Sequence, residues 1–349
     1  MKRARNVVTT ALFALWCVVL FHPAAAQETY DRDIPVARFS VSTNLVKVPV
    51  SIFDEQGLIT KNLRKEDFRL WENQSPQEIR SLGIDTGSVS ALLILDTSPT
   101  SKSELSKMKR AAETFIESLE KDDRISLITF DENVNLVIDW TSDTKRIKKA
   151  LSGIRTGSRT ALYDAMYLAA NEQMHGVDGQ KAIILFTDCV NNHSRVNFEE
   201  AASAVRKSQA SFYLVSKPDT VKEQALNAWQ VAIVEDIYKK LFDEDMNGVE
   251  QYFENRERAM TGLAESTGGR VFYPTSYDAI RGIYSEIARE LKNKYYLTYI
   301  SNQNLAPDSW HRISVEYLRP ASEVVYRRGY YYLPETPRII AGPSFDQSK

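Results

Sequence analysis

The sequence predicts an α/β protein in which a doubly wound, mainly parallel sheet is inserted into a β-sandwich built from the amino- and carboxy-terminal flanks. Three observations carry this. Between Val89 and Lys292, short apolar runs alternate with helical stripes, the pattern of helices covering both faces of a mainly parallel sheet. The flanks, residues 35–88 and 293–333, read instead as short strands with one apolar face. Neither flank has enough strand to bury its own sheet, so the economical arrangement pairs the two flanks with each other.

Residues 1–26 read as an export signal. Lys2-Arg3-Ala-Arg5 is a basic start, Val7 to Phe21 an apolar stretch, and Ala24-Ala25-Ala26 a small-residue cleavage site before Gln27. The expectation is an exported chain, periplasmic or secreted, with no membrane span after cleavage; an uncleaved anchor is the alternative. Cys17 follows Leu15-Trp16 rather than small residues, which argues against a lipid anchor. Cleavage leaves one cysteine, Cys189, so the fold must rest on its own core rather than on disulfides.

In the first flank, Val46, Val48, Val50 and Ile52 alternate with Lys47, Pro49 and Ser51, and Asp54-Glu-Gln-Gly57 makes a turn. Pro49 cannot donate to a ladder, which predicts an edge strand. Leu63 to Asn73 adds a helical turn and another strand. In the middle unit, 89–292, Ala91–Leu95 is a buried strand and Leu105, Met108, Ala112, Phe115 and Leu119 form the stripe of a helix. Ile125–Phe130 and Val134–Ile138 form a hairpin across Asp131-Glu-Asn133. A helix from Thr160, a strand ending at Phe186, a helix from Phe198, the strands Ser211–Val215 and Gly269–Phe272, and a helix Tyr277–Lys292 follow. Residues 221–265 form a helical insertion. In the second flank, Tyr295, Leu297 and Tyr299, then Ile313, Val315 and Tyr317, alternate again. Pro, Gly and Ser in 334–349 predict a disordered tail.

The chemistry concentrates at strand ends. Asp96-Thr-Ser98-Pro-Thr100 leaves the first buried strand, Thr156-Gly-Ser-Arg-Thr160 opens a helix, and Asp188 ends the strand Ala182–Phe186-Thr. In an open α/β sheet the ligand crevice lies beyond the carboxyl ends of the strands, so these oxygens point at one place. Hydroxyls with a few carboxylates suit Mg²⁺, Mn²⁺ or Ca²⁺. The same residue types also serve as ordinary helix caps.

As a trio in this order, the segments resemble the metal-ion-dependent adhesion site (MIDAS) of von Willebrand factor A domains, the module also found as the integrin I domain. The resemblance spans Val89 to Lys292. It implies a non-catalytic binding domain with a divalent cation on its top face, in which Asp96, Ser98 and Thr100 are the first element, Thr160 the second and Asp188 the third. A partner protein would complete the shell with an acidic side chain. The chain departs from the family in having Thr100 where Ser is usual and Cys189 where Gly usually follows the third-element Asp. A position that favours Gly often needs unusual backbone angles. Phe39 to Ile79, with Lys65-Glu-Asp67-Phe68 and Gln77-Glu-Ile79, and the closing Gly329-Tyr330-Tyr331 also resemble the flanks of exported bacterial von Willebrand A-related proteins common in Acidobacteria. The alternative function is a structural or scaffolding envelope protein with a vestigial metal site.

A second metal motif lies in the insertion. Asp243, Asp245 and Asn247, the Val249 carbonyl and Glu254 fit the spacing of a calcium-binding EF-hand loop. Glu250 stands at the normally aliphatic eighth position and the chain has no second loop, so an acidic turn between helices is the competing reading.

Enzyme readings find no support. There is no Gly-x-Ser-x-Gly elbow, no phosphate-cradling loop ending in Lys-Ser/Thr, and His175, His193 and His311 stand singly. A formal charge of -2 and a pI near 6.2, with basic and acidic residues interspersed, argue against nucleic acid. The closing tyrosines at strand spacing read as sheet packing rather than a carbohydrate platform.

Overall fold

The structure, a computed structural model, describes residues 44–98, 105–216, 246–274 and 277–333. The expected signal peptide, the tail 334–349, Thr100, Asp243 and Asp245 lie outside the described residues.

The first flank supplies β1 (Leu45–Phe53), β2 (Phe68–Glu72), β3 (Ser75–Gln77) and β4 (Ile79–Ile84). The central unit follows with β5 (Val89–Asp96), α1 (Leu105–Glu117), β6 (Arg124–Phe130), β7 (Val134–Thr141), α2 (Thr144–Gly153), α3 (Leu162–Leu168), β8 (Gln180–Thr187), α4 (Phe198–Lys207), β9 (Ser211–Ser216), α5 (Met246–Thr267), β10 (Val271–Phe272) and α6 (Tyr277–Asn293). The second flank contributes β11 (Tyr295–Ile300), β12 (Trp310–Tyr317), β13 (Glu323–Tyr326) and β14 (Gly329–Tyr331).

The central sheet runs β10-β9-β8-β5-β6-β7, parallel except for the β6–β7 hairpin. Its strands β5, β6, β8 and β9 are buried along both faces because helices cover both. Leu93 and Leu95 meet Met108, Phe115, Ile280 and Ile287 from α1 and α6, while Leu92 and Ile94 meet Leu162, Met166, Val205 and Leu263 from α3, α4 and α5. Burying such side chains, at about 1.5–3 kcal/mol each, is what holds the helices to the sheet.

The flanks pair as their patterns require. One antiparallel sheet has the order β13-β1-β11-β4 and the other β14-β12-β2-β3, so each mixes strands from both ends of the chain. Their inner faces share one core of Val48, Val50, Leu70, Leu297, Tyr299 and Val315. Glu72 is fully buried within it. Its carboxylate accepts hydrogen bonds from Tyr330 (2.8 Å) and Ser301 (2.6 Å) and meets His311 Nδ1 at 2.8 Å, which ties β2 to the closing segment.

One expectation is corrected. β1 is interior, not an edge. A residue's N and O point to the same side of a strand, and Pro49 O accepts from Arg327 N, on the β13 side; the β1–β13 ladder begins one residue later, at Val50. The missing donor therefore falls off the end of that ladder. Of the expected calcium loop, Asp243 and Asp245 lie outside the described residues, while α5 begins at Met246 and includes Asn247, Val249 and Glu254, the last exposed.

Candidate functional site

β5 and β8 are neighbours, registered so that Leu95 pairs with Phe186. Asp96, Thr187 and Asp188 therefore leave the sheet side by side at its carboxyl edge. Asp96 is fully buried, and such a carboxylate needs compensating donors. Its Oδ1 accepts from Ser98 N at 2.9 Å and its Oδ2 from the Thr187 hydroxyl at 2.8 Å. The second bond joins the two strand ends through side chains. Thr97 is held in turn by its N and its hydroxyl, each donating to Phe130 O at 2.9 Å.

The turn that carries Thr160 is packed onto this edge. Gly157 N donates to Thr97 O at 2.9 Å, and a Cβ on Gly157 would sit 2.3 Å from the Asp131 carboxyl carbon, so a larger residue would have to displace the Asp131 side chain. Ser158 N and its hydroxyl both donate to Glu132, which holds that carboxyl below its usual range. Thr160 N donates to Asn192 Oδ1 at 2.9 Å, and Thr160 O accepts from Asn192 N and His193 N, both at 3.1 Å. Its hydroxyl makes no hydrogen bond among the described residues. Thr160 thus sits in the turn before α3, not in the helix as expected.

Asp188 is nearly buried and accepts from Val190 N at 3.0 Å. Cys189 then adopts φ 62°, the left-handed conformation that Gly takes without strain, and its N donates to Thr187 Oγ1 at 3.1 Å. Burial first, then Asp188, Glu257 and Asp96, push the thiol pKa far up, so it stays protonated and unreactive.

Four residues that the sequence reading passed over build the rest of the rim. Asn191 Oδ1 accepts from Leu162 N at 3.1 Å, and Ser194 Oγ accepts from Tyr163 N at 2.9 Å and Asp164 N at 3.2 Å. Asp164 Oδ1 returns the favour to Arg195 N (2.8 Å) and Val196 N (3.0 Å). Asn191, Asn192 and Ser194 thus satisfy the exposed amides at the start of α3 from the loop after β8, and Asp164 satisfies loop amides from α3. The signal was present as Asn191-Asn-His-Ser194, a run of turn- and cap-forming residues just after a strand end.

Chemically, the edge offers hard oxygens: two carboxylates and the hydroxyls of Ser98 and Thr160. Among the described residues no three His, Cys, Asp or Glu converge as a metal cage. The donor types fit a hard divalent ion held partly by hydroxyls and water, and they do not fit a thiolate or imidazole site.

Residues 91–190 match the family described as von Willebrand factor type A domain. An uncharacterized protein of Synechocystis sp. is 32% identical over 105 residues, which is 29% of this chain and 25% of that protein. The matched stretch thus spans a quarter of that relative's length. Similar solved structures include BatB from Bacteroides thetaiotaomicron (20% identity, 59% of this chain and 100% of that one, TM-score 0.41). Another is proximal thread matrix protein 1 from the mussel byssus with a zinc-occupied MIDAS motif (15%, 64% and 50%, TM-score 0.46). A third is a von Willebrand factor type A protein from Catenulispora acidiphila (9%, 83% and 72%, TM-score 0.44). Among the described residues no helix is long and apolar enough to cross a membrane.

Proposed function

We propose a function from one premise: this chain carries a von Willebrand factor type A domain at residues 91–190, and such domains are generally interaction modules, often metal-dependent. The edge at Asp96 and Asp188 binds a divalent cation, Mg²⁺ with Mn²⁺ or Ca²⁺ able to replace it, and through it an acidic side chain of a partner protein. Ser98, Thr100 and Thr160 supply hydroxyl ligands, while Asp96 and Asp188 hold the ion directly or through water. So few direct anionic ligands leave the ion electron-poor, and a partner Glu or Asp completes its shell. The protein acts outside the cytoplasm, as the signal-like residues 1–26 suggest, and performs no chemistry of its own.

The observation that carries this reading is the Thr187 hydroxyl bonded to Asp96 Oδ2 at 2.8 Å, which joins the carboxyl ends of two neighbouring parallel strands. A second reading, a scaffold with a vestigial site, draws on Cys189 at φ 62° in the loop that must present Asp188. Retention of envelope proteins on immobilised full chain, in Mg²⁺ and in chelator, tests the choice. Cation-dependent retention that Asp96→Ala abolishes supports binding through the ion. Retention indifferent to chelator and to Asp96→Ala favours the scaffold.

A further inference from the structure

Beside the candidate cation site, the β6–β7 hairpin, α3 and the loop after β8 enclose an open cleft of about 440 Å³. That is within the usual range of ligand pockets. Val134, Leu168 and Val196 line its apolar part together with Tyr167, which is 36% exposed, and polar side chains form the rest. The two acids on its rim are already engaged by this chain. Asp164 accepts from the Arg195 and Val196 amides, and Glu132 accepts from Ser158. Arg195, by contrast, is exposed, lines the cleft, and makes no side-chain hydrogen bond or ion pair among the described residues. The cleft also adjoins the turn that carries Thr160. Its wall residue His193 donates its backbone N to Thr160 O at 3.1 Å and meets the Arg159 guanidinium at Nδ1, 3.1 Å away.

From this juxtaposition we infer that the cleft is a second recognition pocket for the same partner, taking an aromatic side chain that lies close in sequence to the acid on the cation. The inference rests on the cation-binding reading above. The aromatic ring fills the space between Val134, Tyr167, Leu168 and Val196, and a further acidic group of the partner pairs with Arg195. The partner segment is extended and acidic, and it runs from Thr160 across His193 into the cleft. Its specificity comes from the cleft, because any carboxylate satisfies the ion.

A displayed random-peptide library panned on the full chain in Mg²⁺ and eluted with chelator tests this. The expected peptides carry an acid and an aromatic residue at a fixed offset. Such a peptide, resynthesised, binds Tyr167→Ala and Arg195→Ala each on the order of tenfold more weakly. Calorimetric Mg²⁺ affinity of those variants is the control, since a change there reports damage to the site rather than to the cleft. Chelator-eluted peptides with an acid but no fixed aromatic companion overturn the proposal, as does full affinity for both variants. If Mg²⁺ binds but chelator releases no peptide, the cleft proposal falls alone. If Mg²⁺ does not bind the parent chain, the underlying reading falls and takes this one with it.

Discussion

Replacing Lys294 by Met is expected to destabilise the protein by about 3 kcal/mol, because it breaks a buried ion pair at the junction of the two architectures. Lys294 stands between α6 and β11 and is 1% exposed. Its three protons are all used, on Glu290 Oε1 (3.1 Å), the Tyr213 hydroxyl (2.6 Å) and Gly268 O (2.8 Å). Glu290 is fully buried and also accepts from Tyr213 at 2.9 Å and lies 3.6 Å from Arg270, which reaches Glu323 on β13 at 3.5 Å. Removing one partner of a buried pair costs roughly 3–5 kcal/mol. Lys294→Met falls at the low end, since Tyr213 and Arg270 still face Glu290. Glu290→Gln falls higher, because it leaves the Lys294 charge buried without a counter-ion. The double variant Lys294→Met/Glu290→Gln should cost little more than the worse single one, a coupling of about 2–3 kcal/mol. Urea unfolding followed by tryptophan fluorescence reads all three. Losses under about 1 kcal/mol for each single variant, or strict additivity in the double, would refute the reasoning.

Other outcomes follow from the same geometry. Gly157→Ala should lose about 1–3 kcal/mol and weaken Mg²⁺ binding, because its Cβ meets the Asp131 carboxylate, whereas Gly153→Ala, with nothing within 4 Å, should be neutral or gain up to about 1 kcal/mol. Calorimetry and urea melts of the pair decide it. At Cys189, the Gly variant should be at least as stable as the Ala variant despite burying less, since φ 62° costs a side chain roughly 1 kcal/mol or more; an ordinary site would favour Ala. Alkali should destabilise the fold. Burial pushes Tyr296 up to about 12 and Tyr213 well above the usual range, so above pH 10 the unfolded chain loses protons that the folded chain keeps, and stability falls as pH rises. Lys109, Lys181, Lys294 and Arg327, each lowered chiefly by burial, act in the opposite sense, but eight tyrosines are raised against those four. Tyr296→Phe should flatten the decline in melting temperature between pH 9 and 11.

Much of the architecture was legible because it follows from periodicity. Strands apolar on both faces need helices on both sides, and the one-face-apolar flanks could be buried only against each other. Pro49 misled because a missing donor excludes a ladder position, not a whole strand, and which ladders end beside it is a tertiary fact. The calcium pattern is ambiguous for another reason: Asp and Asn at loop spacing are also residues that precede and begin helices, so the one-dimensional pattern fits both outcomes. At the site, Asp96, Thr160 and Asp188 stood out because their residue types follow recognisable strand ends and a Gly turn. Asn191, Asn192, Ser194 and Asp164 did not. Their task is to satisfy backbone amides across a loop-to-helix contact about 30 residues away in sequence, and only the fold makes those pairs neighbours.

The proposed binding depends on the cation. Calorimetric titration of Mg²⁺, then Mn²⁺, into the full chain, into Asp96→Ala and into Thr160→Ala tests it most directly. The account predicts one saturable site in the parent protein, no measurable binding to Asp96→Ala, and weaker binding to Thr160→Ala with the melting temperature of the metal-free protein little changed. Absence of binding to the parent chain, or binding that survives Asp96→Ala, would contradict it.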